Sequence, residues 1–174
     1  GNETIVTKLA KLWGTVRDTP KERAEQMAKV KKWLSPEVLR LANRRHGAEL
    51  FVKQCAACHK FFGQGGEIGP DITGAQRHNL DYLLENIIDP NAAVSKDYQM
   101  EIVRTEDGRV ITGLVETTSG QTLVVQTVNE RVVLPLTDIA ERKQSQDSIM
   151  PQGLLDALSD EQIRDLIGYV QSGL

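Results

Sequence analysis

Residues 51–71 read FVKQCAACHKFFGQGGEIGPD and hold both cysteines of the chain, Cys55 and Cys58, with His59 directly after the second. The order is C-x-x-C-H. Three chemistries use two thiols at this spacing: a redox dithiol, a metal clip, and the covalent seat of a cofactor. The surroundings decide among them, and with them the fold.

A zinc site needs one or two further soft ligands at matching spacing. There is no third cysteine, and the remaining histidines, His46 and His78, are isolated in polar stretches beside arginines. A thioredoxin-like dithiol usually follows a strand in a βαβ unit, whereas an apparent helix precedes Cys55. A five-residue match by chance stays open. The histidine favours the third chemistry: each thiol can add to a haem vinyl group, and the adjacent imidazole is then placed to ligate the iron from one side. The following segment, GQGGEIGPDITG, is a glycine-rich loop with several positions free to take positive φ, and it should wrap around something.

Working outward on the N-terminal side, Ile5, Leu9, Leu12, Trp13 and Val16 recur at helical spacing and predict an amphipathic helix ending near RDTP. Thr19-Pro20 reads as a cap and first-turn proline opening a second helix with Ala24, Met27, Val30 and Leu34 on one face. Ser35-Pro36 repeats the signal. The apolar positions then run through Leu50 and Phe51 to Cys55, with Asn43 and Gly47 as interruptions that leave one helix or two open.

On the C-terminal side, Leu80, Leu83, Leu84, Ile87 and Ile88 mark one face of a short helix stopped by Asp89-Pro90. Between about residues 97 and 140 the period changes. YQMEIVRT, RVITGLVE, QTLVVQTV and RVVLPL read as four strands of an antiparallel meander, with Pro135 making the last an edge or ending it there. Ser159 and Gln162 fit a capping box, and Ile163, Leu166, Ile167 and Val170 carry a terminal helix.

Bulk composition fits these elements. The 174 residues are 40% hydrophobic and 26% charged, with a formal net charge of −3. No apolar run approaches the roughly 20 residues of a membrane span, and the scattered basic residues leave no footprint for nucleic acid. The opening Gly1-Asn2, without a charged-then-apolar leader, reads as an excised fragment.

A methionine thioether opposite histidine is a common second axial ligand and raises the reduction potential. Met150, in the loop SIMPQG ahead of the terminal helix, is the first choice. Met100 in a predicted strand and Met27 in a predicted helix read better as packing. His46 and His78 read as solvated surface. Arg77 is a candidate for offsetting haem propionates.

With these pieces placed, the chain from about Gly47 onward resembles a class I c-type cytochrome: Gly47 and Phe51 ahead of CAACH, then GP, then MP, then a helix containing Tyr169. More narrowly, GGEIGPDITGAQR, YLLENIIDPNAAV, DGRVITGLV and SIMPQGLLDALSDEQIRDLIGYV resemble the C-terminal haem-binding domain of planctomycete multidomain dehydrogenase-like proteins. The resemblance implies thioether bonds at Cys55 and Cys58, His59 as proximal and Met150 as distal ligand, and Pro70 accepting the imidazole N–H through its carbonyl. It also implies a crossing of the core's first and last helices at Gly47 and Tyr169. One departure from small class I cytochromes is the separation of His59 and Met150, because the β-rich segment intervenes.

The expected fold is therefore mainly α: a class I cytochrome c helical core over residues 46–174, with a small β meander inserted at about 97–140 and an N-terminal helical extension over 1–45. The expected function is one-electron transfer by one covalent haem c, with Phe51, Ile68, Leu83 and Ile87 burying the macrocycle. The chain is expected to be no enzyme itself. Its partners would be an upstream dehydrogenase-like domain and other redox proteins, in the periplasm or an equivalent extracytoplasmic compartment. The alternative is a haem with an open sixth position, serving small-ligand sensing or peroxide chemistry.

Overall fold

The computed structural model describes residues 15–173. They divide into two compact units: a helical unit of residues 18–92 with 151–173, and a sheet unit of residues 93–150 with the short segment 15–17. The predicted first helix, from Ile5 to Trp13, lies outside the described residues. Its last expected position, Val16, is in a two-residue strand, β1 (Thr15–Val16), paired with β2 (Ala93–Val94).

The helical unit opens with α1 (Lys21–Trp33). Pro20 stands at its cap rather than in its first turn, and the carbonyl of Pro20 accepts the Ala24 N–H at 3.0 Å. The next stretch is two helices, because Asn43 caps a new one. α2 (Pro36–Arg40) starts at Ser35, whose Oγ accepts the Val38 N–H at 3.4 Å. α3 (Arg44–Gln54) starts where Asn43 Oδ1 accepts the His46 N–H at 3.2 Å. These side chains satisfy donors that have no partner within the helix. α4 (Leu80–Ile88) is capped by Asn79 and ends at Asp89, before Pro90. α5 (Asp160–Ser172) carries the predicted capping box of Ser159 and Gln162.

The apolar faces of these helices meet in one core in which Leu34, Leu84, Ile88 and Ile167 are essentially sealed from solvent. Each such side chain contributes on the order of 2 kcal/mol by leaving water. α3 and α5 cross at backbone contact: a Cβ on Gly47 would lie 2.1 Å from the Asp165 carbonyl oxygen and 2.7 Å from Tyr169 Cβ. Only a residue without a side chain fits there.

The sheet unit corrects the expectation of a mainly α fold. Five of its strands form an antiparallel sheet of substantial size, so the protein combines α and β structure. The four predicted runs are β3 (Gln99–Thr105), β4 (Val110–Ser119), β5 (Thr122–Gln126) and β6 (Arg131–Pro135). A fifth strand, β7 (Ile139–Ser148), crosses back to pair with β3, giving the order β6-β5-β4-β3-β7. β7 is an edge strand of sequence IAERKQSQDS with hardly a buried position. It therefore lacks the apolar alternation by which a half-buried strand announces itself. β6 is the other edge and ends at Pro135, which cannot donate to a ladder. Val103, Leu123, Val125 and Leu134 form the sheet core. No helix among the described residues is long and apolar enough to cross a membrane.

Candidate functional site

α3 delivers the cysteine motif. Cys55 is its C-cap and donates its N–H to Phe51 O at 2.8 Å. The chain then turns once more, with the Cys58 N–H on Cys55 O at 3.1 Å and the His59 N–H on the same oxygen at 2.9 Å. Cys55, Cys58 and His59 thus share one turn, all half-buried. Neither thiol is in a disulfide. Burial, with Cys58 nearby as a lesser cause, pushes the Cys55 thiol up to about 12, and burial also raises Cys58. A redox dithiol needs the opposite, a depressed thiolate pKa.

The glycine loop wraps the motif itself. The Gly66 N–H donates to Ala56 O and the Gly69 N–H to Cys58 O, both at 2.8 Å. Added Cβ atoms would lie 2.2 Å from His59 O at Gly65, 2.2 Å from Ala57 O at Gly66, and 2.9 Å from His59 Cε1 at Gly69. The loop then presents the Pro70 carbonyl to His59 Nδ1 at 2.9 Å. A carbonyl only accepts, so Nδ1 carries a proton, and in the neutral ring that tautomer leaves the Nε2 lone pair for a metal. One bond fixes both the ring orientation and the tautomer of a metal-binding imidazole.

This donor set fits a covalently attached haem: two thiols without disulfide partners on one turn, an imidazole with Nε2 bare, and a backbone that approaches the ring closely because Gly69 lacks a side chain. Cys55, Cys58, His59 and Pro70 are brought together within the helical unit. Met150 closes the sheet unit; it is half-buried just beyond β7, and its N–H donates to Ser148 Oγ at 3.1 Å. Met27 packs against the helical core, and Met100 lies in β3. Phe51 and Leu83 are buried in the helical core, Ile87 packs against it, and Ile68 is half-buried on the loop.

Three further residues take roles that the sequence did not assign. Arg77 donates from Nε to Thr73 O at 3.1 Å and from Nη1 to Val170 O at 3.3 Å and to Gln171 O, the last carbonyls of α5. A cation at a helix C-terminus is favoured by the helix dipole. Its guanidinium also lies 5.6 and 5.3 Å from the ring centroids of Phe61 and Phe62. Phe61, 3% exposed, packs against Phe51 and Tyr169. Asp165, 1% exposed, accepts from the Asn43 N–H at 2.9 Å and from His46 Nδ1 at 2.8 Å, so His46 is tied to α5. Burial acts to raise this carboxyl, but the hydrogen bonds from His46, the Asn43 N–H and Arg164 outweigh it and hold the pKa below the ordinary value.

The family model described as Cytochrome c matches residues 45–173, well over half of the chain, and takes in the motif, the glycine loop, Met150 and α5. No curated protein matches the chain. Cytochrome c domains are generally electron carriers rather than catalysts and exchange electrons with redox partners. The match and the C-x-x-C-H turn agree, and the chain belongs to the cytochrome c family, whose members transfer electrons on haem c.

Proposed function

We propose that this chain is an electron-transfer domain holding one haem c through thioether bonds from Cys55 and Cys58, with His59 Nε2 and the Met150 thioether as axial ligands. The observation that carries the reading is the hydrogen bond from His59 Nδ1–H to the Pro70 carbonyl, which prepares Nε2 as a ligand. When bound, the haem supplies a one-electron ferric–ferrous couple. The chain's residues anchor it, fix the imidazole, and limit water around it through Phe51, Leu83 and the half-buried Ile68 and Ile87. Met150 is preferred over Met27 and Met100 because Met27 packs against the helical core and Met100 lies within a strand, while Met150 stands in a loop entry where its N–H is held by Ser148. A thioether opposite an imidazole raises the potential.

In this reading electrons enter from an upstream dehydrogenase-like domain of the planctomycete type and leave to another redox protein, in the periplasm or an equivalent compartment. The motif likeness from GGEIGP to IGYV supports it. The test is visible absorption of the ferric protein, wild type beside Met150→Ala. The weak far-red band of a methionine sulfur on ferric iron is expected in the wild type and absent in the variant. A band that survives the substitution removes Met150 from the site. A high-spin wild type that takes up cyanide directly replaces the reading by the open-site alternative, small-ligand sensing or peroxide chemistry.

A further inference from the structure

Between His59 and Pro70 the backbone passes Gly63, Gly65, Gly66 and Gly69, with Gly63 and Gly65 at φ of +79° and +109°. Such a segment has many conformations to lose on ordering. Yet it must deliver the Pro70 carbonyl to a single nitrogen. Backbone bonds from Gly66 and Gly69 hold the loop to the cysteine turn, and the Ile72 N–H donates to Lys60 O at 3.0 Å. A side-chain link closes it as well: Lys60 Nζ, on the residue after His59, donates to Glu67 Oε1, on the residue between Gly66 and Ile68.

We propose that the Lys60–Glu67 ion pair is a positioning device for the proximal ligand: by closing the glycine loop it keeps the Pro70 carbonyl on His59 Nδ1 and so tunes the reduction potential. The proposal rests on His59 being an axial ligand. The pair is open to water, with side-chain exposures of 32% and 76%. Exposed pairs add little to overall stability, so the effect is local. A carbonyl accepting from Nδ1–H makes the imidazole a more basic ligand. That favours the more positively charged ferric ion, so loosening the bond raises the potential. Direct electrostatics makes a different prediction for Lys60: removing a positive charge near the iron lowers the potential. The two routes have opposite signs at this residue.

The test is the midpoint potential of the holoprotein as wild type, Lys60→Gln, Glu67→Gln and the charge-swapped double variant, with amide exchange of Gly69 and Ile72 followed by NMR. The positioning role expects a higher potential in both single variants, a return toward wild type in the swap, and exchange of the two amides about threefold faster in the singles, the fold-change a pair of this exposure supports. A lower potential in Lys60→Gln, or unchanged potential and exchange, overturns it. If the wild-type spectrum shows no histidine-ligated iron, the functional reading fails separately. Amide exchange then still decides whether the pair orders the loop, and unchanged exchange overturns the strap.

Discussion

The helical unit and the sheet unit differ most in the size of their apolar cores. Among the described residues, thirteen buried apolar side chains make the helical core and four make the sheet core. Both units carry ion pairs on their surfaces: Arg104–Glu141, Arg142–Glu101 and Arg131–Glu116 between strands of the sheet, and Lys31–Asp81 and Lys21–Glu25 on the helices. Pairs this exposed contribute between zero and about 1 kcal/mol each. Contacts that tolerate no extra atom occur in both units: Gly47 against Asp165 and Gly168 against Ala42 among the helices, and Gly113 against the Gln126 carbonyl in the sheet. A unit over-determined in this way can hold an imidazole and two thiols in one arrangement.

The strongest way to break this contrast is Gly47→Ala. The methyl would meet the backbone of α5, which cannot turn aside as a flexible side chain can. A loss of about 3 kcal/mol is expected, at the upper end for overpacking, measured as a lowered denaturant midpoint. A loss well below 1 kcal/mol would mean that the α3–α5 crossing yields, and that the helical unit is no more tightly specified than the sheet.

Asp165 sharpens the same contrast through pH. Its folded pKa is depressed, so the folded protein releases this proton more readily than the unfolded chain does. The carboxylate therefore contributes its full stability above the unfolded value, about 4. That contribution fades as pH falls through the lower folded value. Asp165→Asn keeps the shape but gives up the charge-assisted bonds from His46 and Arg164. A loss of about 2 kcal/mol at neutral pH is expected, with a flatter stability profile on acidification. An unchanged acid profile would show that the buried carboxylate is not what senses pH.

Much of the site was legible because its chemistry is local. Cys55, Cys58 and His59 lie within five residues, and the caps Ser35 and Ser159 announce their helices. What was illegible depends on distant partners. Asp165 reads as one more polar position of an amphipathic helix, and it is buried only because Asn43 and His46 of another segment arrive on it. The glycine loop could be identified as a loop, but not that Gly65 and Gly66 face carbonyls of the cysteine turn and Gly69 faces the imidazole. β7 was missed for a related reason: an edge strand exposed along most of its length is specified by its ladder with β3, which leaves no apolar period in IAERKQSQDS.

The smallest expected effect separates the two reasons for a glycine. Gly108, in the turn between β3 and β4, has φ +86°, and a Cβ there would meet nothing within 4 Å. Gly108→Ala thus adds no contact and costs only the left-handed backbone, about 1 kcal/mol. Gly108→Asn should cost less, because asparagine tolerates that region. Urea unfolding of the three proteins should rank them glycine, asparagine, alanine, with the visible spectrum unchanged throughout. If alanine at 108 proved as damaging as alanine at 47, steric closeness could not be what sets the cost at position 47. The sheet hairpin would then be as tightly specified as the α3–α5 crossing.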